Sequence, residues 1–332
     1  MKTKQDNITT ALVEPRQSAR KQMADAAGEH SFQVRDILVP TDFSPTSLHA
    51  LDYAVPLARQ LGGQITLLHV MDWPVLPQTV ENLVIGDAMT RTAKERLDAL
   101  AHEKVPSPLL AKTLVRTGSS YQEITRLAQG LKSHLIILST HGRTGFKRAL
   151  LGSTAERVVR HAPCPVLTVR EGGEVKSPDL KSAGLGPRIN RILVPVDFSE
   201  RSAAAVDYAV GLVRTMKARL ALLHVVIPLP VRYSRFRAEM QEYDTANKLE
   251  ARQKLEALAA TVPKDIQVDV LLRQDLPPRG IAGVAREWRG DLIVLPTRGL
   301  TGAKYIVLGS TAEAVVRHAP CPVLSLGVAS FK

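Results

Sequence analysis

One stretch of this chain occurs twice, at residues 135–169 and again at residues 292–326. Each copy has the pattern of a short apolar strand, a glycine-rich loop, a helix and a second apolar strand. The opening run Leu135–Leu138 is typical of a strand buried on both faces of a parallel sheet. A duplication of this kind predicts two domains of one fold rather than a single large domain.

Each copy also contains the run Gly-Ser-Thr-Ala-Glu, which predicts the beginning of a helix. Ser153 and Glu156 have the spacing of a capping box, and Ser310 and Glu313 repeat it. An anion can bind at a helix N-terminus, because free N–H groups and the positive end of the helix dipole point outward there. The same run also fits a well-made helix start that binds nothing, and these residues alone leave both interpretations open.

Strand and helix patterns alternate through the rest of the chain. In the first half the predicted strands are 37–40, 65–70, about 112–115, 135–138 and 166–169, and the predicted helices are 45–61, 85–102, 121–130 and one from residue 153. Ser44 followed by Pro45 predicts a helix start, and Gly62 predicts its end. The alternation predicts an α/β fold with a parallel sheet that helices cover on both faces.

The second half repeats the first at a nearly constant offset. Residues 192–199 repeat residues 37–44 with one change, and the pairs Asp207-Tyr208 and His224-Val225 return in order. We therefore predict a disordered tail at 1–33, a first domain at 34–170, a linker rich in Gly, Pro and Ser at 171–187, and a second domain at 188–328.

Composition narrows the function classes. The 332 residues carry a net charge of +12, which is compatible with nucleotides or acidic partners, but an aromatic content of 4% makes nucleic acid an unlikely ligand. No apolar run approaches the roughly 20 residues that span a bilayer, so we expect a cytoplasmic protein without a membrane segment. Cys164 and Cys321 are predicted to be small buried side chains rather than metal ligands.

The spacing of the glycines gives the chain a resemblance to a known family. Nine residues separate Gly142 from Gly152, and nine separate Gly299 from Gly309. The chain resembles the universal stress protein family, whose ATP-binding members carry G-x2-G-x9-G-[ST]. The first glycine of that motif is replaced, by Ser139 in one copy and by Pro296 in the other.

The resemblance implies two tandem Rossmann-like domains of the adenine nucleotide alpha hydrolase-like type. Each would have a five-stranded parallel sheet in the order 3-2-1-4-5, with the ligand at the carboxyl ends of the strands where the order reverses. The last strands, 166–169 and 323–326, would pair antiparallel within the chain, which places Cys164 and Cys321 apart and disfavours a disulfide. A homodimer of such chains stays open.

The resemblance also implies the residues of a site for an adenine nucleotide, ATP with or without Mg²⁺. In the first half these are Pro40, Thr41, Asp42, Val70, Gly142, Arg143, Gly145, Gly152, Ser153 and Thr154. In the second half they are Pro195, Val196, Asp197, Val225, Gly299, Gly302, Gly309, Ser310 and Thr311. Asp42 has an alternative interpretation as a residue that merely caps a helix. His69 and His224 are predicted to be core histidines with their hydrogen bonds satisfied.

No catalytic motif accompanies this site. The chain has no Walker A sequence, no G-x-S-x-G elbow and no HExxH, so we expect a non-enzyme, with slow ATP hydrolysis at most. The leading expectation is an ATP-binding stress-response regulator or sensor. The alternative is a scaffold of the same fold that binds no nucleotide and acts through protein contacts. Its protein partner is unknown under both hypotheses.

Overall fold

A computed structural model describes residues 32–72, 80–140, 151–170, 187–228, 237–297, 308–327 and 330, and these residues form a ten-stranded sheet covered by helices. The strands are β1 Asp36–Pro40, β2 Gln64–Met71, β3 Leu110–Thr117, β4 Leu135–Ser139, β5 Val166–Val169, β6 Arg191–Pro195, β7 Arg219–Val226, β8 Val268–Gln274, β9 Leu292–Pro296 and β10 Val323–Leu326. The helices are α1 Pro45–Leu61, α2 Val80–Lys104, α3 Ser120–Gly130, α4 Ser153–His161, α5 Glu200–Met216, α6 Arg237–Ala259, α7 Pro277–Glu287 and α8 Ser310–His318. A 3₁₀ turn, Ser107–Leu109, precedes β3.

The strand order confirms the fold class that the sequence predicts. The sheet runs β3-β2-β1-β4-β5-β10-β9-β6-β7-β8, so each half has the order 3-2-1-4-5. Within each half all neighbouring strands are parallel. Parallel neighbours need a crossover connection, which the helices between successive strands of a half provide.

The central strands are apolar because both faces of the sheet are covered. Ile37, Leu38 and Val39 of β1 are at most 1% exposed. On one face, side chains of α3, α4, α7 and α8 pack with strand residues of both halves into a single apolar cluster. On this face of the sheet the two halves therefore share one continuous core.

The last strands of the halves join them, as predicted. β5 and β10 pair antiparallel with Leu167 opposite Leu324. Cys164 and Cys321, which precede these strands, are free and buried, and burial raises the pKa of each thiol to about 12. Burial disfavours the charged thiolate, so these side chains behave as the small hydrophobes that the sequence predicts.

The local helix signals around α1 are confirmed. Ser44 is the N-cap and accepts a hydrogen bond from the N–H of Ser47, Pro45 is the first helical residue, and Gly62 adopts a left-handed conformation at the end. Two elements are longer than predicted, because α2 extends beyond 85–102 and β3 beyond 112–115 at both ends. Polar residues interrupt β3 in pairs, Lys112-Thr113 and Arg116-Thr117, so the apolar pattern of this edge strand is weak although it pairs with β2 along its length.

None of the helices in the described ranges combines the length and the apolar character that crossing a membrane requires.

Candidate functional site

The strand order reverses at β1 in the first half and at β6 in the second. β1 pairs with β2 on one side and with β4 on the other, and β6 pairs with β7 and β9 in the same way. In open parallel sheets, ligands bind outside the carboxyl ends of the strands at such a reversal. Because β5 and β10 are antiparallel, the carboxyl ends of the two halves lie at opposite edges of the sheet. The structure therefore offers two separate candidate sites.

The loop after β1 is tied to β2 and to itself. The backbone N–H of Thr41 donates to the Leu68 carbonyl at 2.8 Å, and the Thr41 hydroxyl accepts from the N–H of Phe43 at 3.0 Å. In the second half Val196 takes the place of Thr41, and its N–H donates to the Leu223 carbonyl at 2.7 Å. Both residues are buried, so they position the loop and present mainly backbone to the edge.

Asp42 does not cap helix α1 but supports the residue that does. Its Oδ1 accepts from the N–H of Ser44 at 3.0 Å and from the Ser44 hydroxyl at 2.5 Å. Ser44 in turn accepts from the N–H of Ser47 as the N-cap. Asp197 and Ser199 repeat the arrangement at 3.1 and 2.6 Å. The interpretation of this aspartate as the helix cap is therefore wrong, and its carboxylate is held in a fixed orientation directly after the strand.

The aromatic residue after each aspartate has a strained backbone. Phe43 has a φ of 62° and Phe198 a φ of 63°, a conformation that costs about 1–3 kcal/mol for a bulky side chain. The Phe43 ring lies 4.4 Å from the ring of His69, with the Arg96 guanidinium 4.2 Å from its centre on helix α2. Phe198 lies 4.4 Å from His224 in the same way. Neither phenylalanine is among the predicted site residues, although both copies of Asp-Phe-Ser contain one.

The two histidines behind these rings are satisfied, as predicted. His69 Nδ1 lies 2.8 Å from the Thr41 carbonyl, and His224 Nδ1 lies 2.7 Å from the Val196 carbonyl. A carbonyl oxygen only accepts hydrogen bonds, so Nδ1 carries the proton in both rings. Each histidine therefore ties the end of its strand to the neighbouring loop, which holds the strained turn in place.

Helix α4 begins one residue earlier than a capping box requires. Gly152 is the N-cap, its N–H donates to the Thr140 carbonyl at 2.7 Å, and Ser153 is already the first helical residue. No side-chain hydrogen bond caps this end, and Glu156 bonds Arg160 at 2.6 Å instead. The predicted capping box is wrong because Glu156 is the fourth helical residue, one position too far along to reach the N-cap.

Helix α8 repeats this start in the second half. Gly309 is the N-cap, and its N–H donates to the Thr297 carbonyl at 2.9 Å. Ser310 opens the helix without a side-chain cap, and Glu313 bonds Arg317 at 2.6 Å. The capping box predicted for Ser310 and Glu313 is wrong for the same reason. Both helix starts are thus anchored to the residue that follows the neighbouring strand, and within the described ranges no side-chain hydrogen bond caps either of them.

In each half, the predicted site residues that the structure describes lie together at the carboxyl ends of the strands. In the first half these residues are Pro40 at the end of β1, Thr41 and Asp42 directly after it, Val70 near the end of β2, and Gly152, Ser153 and Thr154 at the start of α4. In the second half they are Pro195, Val196, Asp197, Val225, Gly309, Ser310 and Thr311. Gly142, Arg143, Gly145, Gly299 and Gly302 lie outside the described residues.

The two replaced glycine positions end their strands. Ser139 is the last residue of β4, opposite Val169, and Pro296 is the last residue of β9, opposite Leu326. Serine has a backbone N–H at this position, whereas proline has none. The two sites therefore differ in their backbone donors at this position.

A nucleotide and its magnesium ion are compatible with these residues. The uncapped starts of α4 and α8 are donor sets of the kind that phosphate groups accept. Within the described ranges, no cluster of three or more His, Cys, Asp or Glu residues could hold a metal ion. Mg²⁺ bound with nucleotides takes its ligands largely from phosphates and water, so it needs no such cluster.

Comparison with known proteins gives one consistent family. The sequence profile of the universal stress protein family matches residues 33–170 and 188–326. A universal stress protein of Methanocaldococcus jannaschii is 31% identical over 140 residues, which cover 41% of this chain and 82% of the relative. A universal stress protein of Mycobacterium tuberculosis is 28% identical over 306 residues, which cover 87% of this chain and 95% of the relative.

A solved structure shares the whole fold. The crystal structure of a universal stress protein from Archaeoglobus fulgidus matches with a TM-score of 0.64 at 23% identity, over 89% of this chain and 99% of that one. The match extends over both halves of this chain, so the tandem arrangement of the sheet also occurs in the Archaeoglobus fulgidus structure.

Proposed function

The chain belongs to the universal stress protein family, and on that premise we propose that it binds ATP at the carboxyl-end edges of its sheet and acts as a stress-response regulator or sensor. Nucleotide binding would supply the signal, because a bound nucleotide stabilises the conformations that hold it. The stress response follows from the family, whereas ATP and the sensing role are our proposal.

The start of helix α4 is the observation that carries this proposal. Gly152 is anchored to Thr140, and among the described residues no side-chain hydrogen bond caps the turn that follows. The N-terminal N–H groups of a helix without a cap favour an anion, and the helix dipole adds to the attraction. A triphosphate fits this position better than a neutral ligand does.

The adenine end would lie at the other side of the same edge. Pro40 pairs with Leu68, so Val70 and Asp42 both lie just beyond the paired part of β1 and β2. The carboxylate of Asp42 is held by Ser44 and can accept from the amino group of adenine, while backbone near Val70 can bond the ring. The contacts that hold Phe43 in its strained conformation, among them the His69 ring, would preorganise this loop before a ligand arrives and lower the entropy lost on binding.

The two halves are not equivalent in this proposal. Val196 replaces the hydroxyl of Thr41, and Pro296 removes a backbone donor that Ser139 keeps. We therefore propose that the first half holds the tighter site. The same proline favours the alternative function for the second half, a scaffold that contributes protein contacts without a nucleotide.

Calorimetric titration of the full chain with ATP, with and without Mg²⁺, tests the proposal. The wild type should bind saturably, and Gly142→Val, which puts a branched side chain into the glycine motif, should remove most of that binding. Gly299→Val is the matched change in the second half and should remove only the weaker binding that we assign to the second site. Thermal unfolding of each variant separates a blocked site from a damaged fold.

The absence of binding by the wild type at millimolar ATP would overturn the nucleotide proposal for both halves. Equal losses in the two variants would show that the sites are equivalent and contradict the ranking. Phosphate release measured beside the titration tests the enzyme question, where we expect no more than slow hydrolysis, because Asp42 is engaged with Ser44 and offers no free general base.

A further inference from the structure

The loops that follow β3 and β8 differ between the halves. Gly118 follows β3 with a φ of 136°, which glycine adopts readily, and its N–H donates to the Met71 carbonyl at 3.0 Å. Asp275 holds the corresponding place after β8, and its N–H donates to the Val226 carbonyl at 3.1 Å. The two loops are therefore tied to the same strand position, but only the second carries a side chain.

A second difference, one helical turn further on, matches the first. Glu123 lies in the first turn of α3, and Gly280 takes the corresponding place in α7. A Cβ added to Gly118 would lie 3.5 Å from Cγ of Glu123, and a Cβ added to Gly280 would lie 3.2 Å from Cβ of Asp275. The two positions thus touch each other. Each half fills the shared space with one carboxylate, from the helix in one case and from the loop in the other.

This shared space borders the adenine end of the proposed site. A Cβ added to Gly280 would lie 2.9 Å from Cγ1 of Val225, the residue we assign to the adenine end of the second site. Helix α7 also packs on α8, whose start would hold the phosphates, and α3 packs on α4 in the same way. A group in the first turn of α3 or α7 therefore belongs to the part of the edge where the sugar joins base and phosphates.

The two carboxylates keep capacity for a ligand. The Glu123 side chain is 13% exposed and pairs with Arg126 at 2.9 Å, while Arg126 itself is 78% exposed. Asp275 accepts from the N–H of Leu276 at 2.8 Å and lies 3.6 Å from Arg279, which is 83% exposed. An ionised carboxylate has about four acceptor positions and donates none, so these contacts leave room for hydroxyl donors. It also repels phosphate, which directs a triphosphate towards the uncapped helix start.

We propose that Glu123 in the first half and Asp275 in the second accept hydrogen bonds from the ribose hydroxyls of the bound nucleotide. This inference rests on the proposed ATP site and adds its sugar specificity. Each site then selects ribonucleotides over 2′-deoxyribonucleotides, although the selecting carboxylate comes from a different element. The alternative role of these acids, favourable contact with a helix N-terminus, would leave sugar preference unchanged.

Titration with ATP and 2′-deoxy-ATP measures the sugar preference directly. In the full chain carrying Gly299→Val, which isolates the first site, ATP should bind about tenfold more tightly than 2′-deoxy-ATP, as one charge-assisted hydrogen bond predicts. Glu123→Gln should reduce this ratio several-fold, because the neutral amide is a weaker acceptor, and should weaken 2′-deoxy-ATP less than ATP, because 2′-deoxy-ATP retains only the 3′-hydroxyl. Glu103→Gln, the same change at an exposed carboxylate, is the control and should retain the ratio.

The second half allows a rescue experiment. In the chain carrying Gly142→Val, Asp275→Gly should abolish the sugar preference. The double change Asp275→Gly with Gly280→Glu reproduces the first half's arrangement and should restore it. Glycine at 275 accepts any backbone conformation and removes one of the two neighbours that a side chain at 280 would meet, while Val225, the other neighbour, must shift. Thermal unfolding of each variant confirms that the fold is retained.

The outcomes separate the two proposals. If the wild type binds neither nucleotide, the proposed function fails and the sugar specificity fails with it. If it binds ATP and 2′-deoxy-ATP equally, the ATP site stands and the role of the carboxylates is overturned. A preference that survives both Glu123→Gln and Asp275→Gly would also overturn that role, because it would arise from other residues.

Discussion

Thr168 of the first half donates a side-chain hydrogen bond to the carbonyl of Val323 of the second half, at 3.1 Å. Its counterpart across the seam between β5 and β10 is Ser325, which pairs opposite Val166. The Ser325 hydroxyl is buried and has no hydrogen-bond partner among the residues that the structure describes. Two related positions in one seam thus differ in whether a buried hydroxyl is satisfied.

This difference predicts opposite effects of removing the two hydroxyls. Thr168→Val keeps the shape but removes the hydrogen bond, so the free energy of unfolding should fall by about 1 kcal/mol. Ser325→Ala removes an unsatisfied polar group and should leave the free energy unchanged or raise it. Chemical denaturation of the two variants checks this prediction, and a loss for Ser325→Ala as large as that for Thr168→Val would contradict it.

Two glycines of helix α7 provide a second matched pair. A Cβ at Gly280 would lie 2.9 Å from Val225, whereas the nearest atom to a Cβ at Gly283 is 3.9 Å away, on Arg273. Gly280→Ala should therefore destabilise the protein by about 1–3 kcal/mol through overpacking. Gly283→Ala should stabilise it by about 0.4–1 kcal/mol, because alanine favours the helix and restricts the unfolded chain. Thermal unfolding would contradict this account if both variants shifted in the same direction.

The buried thiols predict how stability depends on alkaline pH. Burial raises the pKa of Cys164 and of Cys321 to about 12, above the ordinary thiol value of 9.0. A raised folded pKa gives stability that is fully present below the unfolded pKa and is lost as the pH rises towards the folded one. The free energy of unfolding should therefore decrease between about pH 9 and pH 12, by about 1.4 kcal/mol per pH unit for each thiol.

Alkylation and unfolding together check this prediction. Iodoacetamide at pH 8 should label neither cysteine in the folded protein and both in denaturant, because the thiolate is the reactive form. Cys164→Ala removes one of the two thiols, so the free energy of unfolding should decrease less steeply with pH, by about 1.4 kcal/mol per pH unit. Tyr208 contributes to the remaining slope, because burial, with a smaller effect of Cys164, raises its pKa as well. Rapid labelling of the folded chain would contradict the buried state.

Substitutions at Asp42 distinguish the effect of its charge on ATP binding from its effect on the conformation of the loop. Asp42→Asn keeps an oxygen that can accept from the N–H of Ser44, so the turn should persist while the affinity for ATP falls several-fold. Asp42→Ala loses both the charge and the acceptor oxygen. It should weaken ATP binding further and lower the free energy of unfolding by about 1 kcal/mol. Asp52→Asn, at an exposed carboxylate, is the control. An unchanged ATP affinity in Asp42→Asn would remove this residue from the site.

Much of the fold could be predicted from the sequence because its signals are local or repeated. Buried runs such as Leu135–Leu138 and the cap at Ser44 depend only on neighbouring residues. Because the chain is duplicated, the same pattern in the second half supports each of these predictions. The N-cap at Gly152 was not predicted. Ser153 and Glu156 have the spacing of a capping box, but the hydrogen bond from Gly152 to Thr140 makes Gly152 the N-cap instead. The ends of β3 were missed because an edge strand needs little apolar sequence.

The sequence by itself determined the duplicated α/β architecture, the strand order through its family resemblance, and the residue types at the two edges. Only the tertiary structure decided that Glu123 lies beside Gly118 and Asp275 beside Gly280, so that each half fills the equivalent space with one carboxylate. It alone also decided that Phe43 has a left-handed backbone with its ring against His69. These relationships join residues through packing and backbone conformation. They depend on how strands and helices meet in space, which the order of residue types along the chain does not specify.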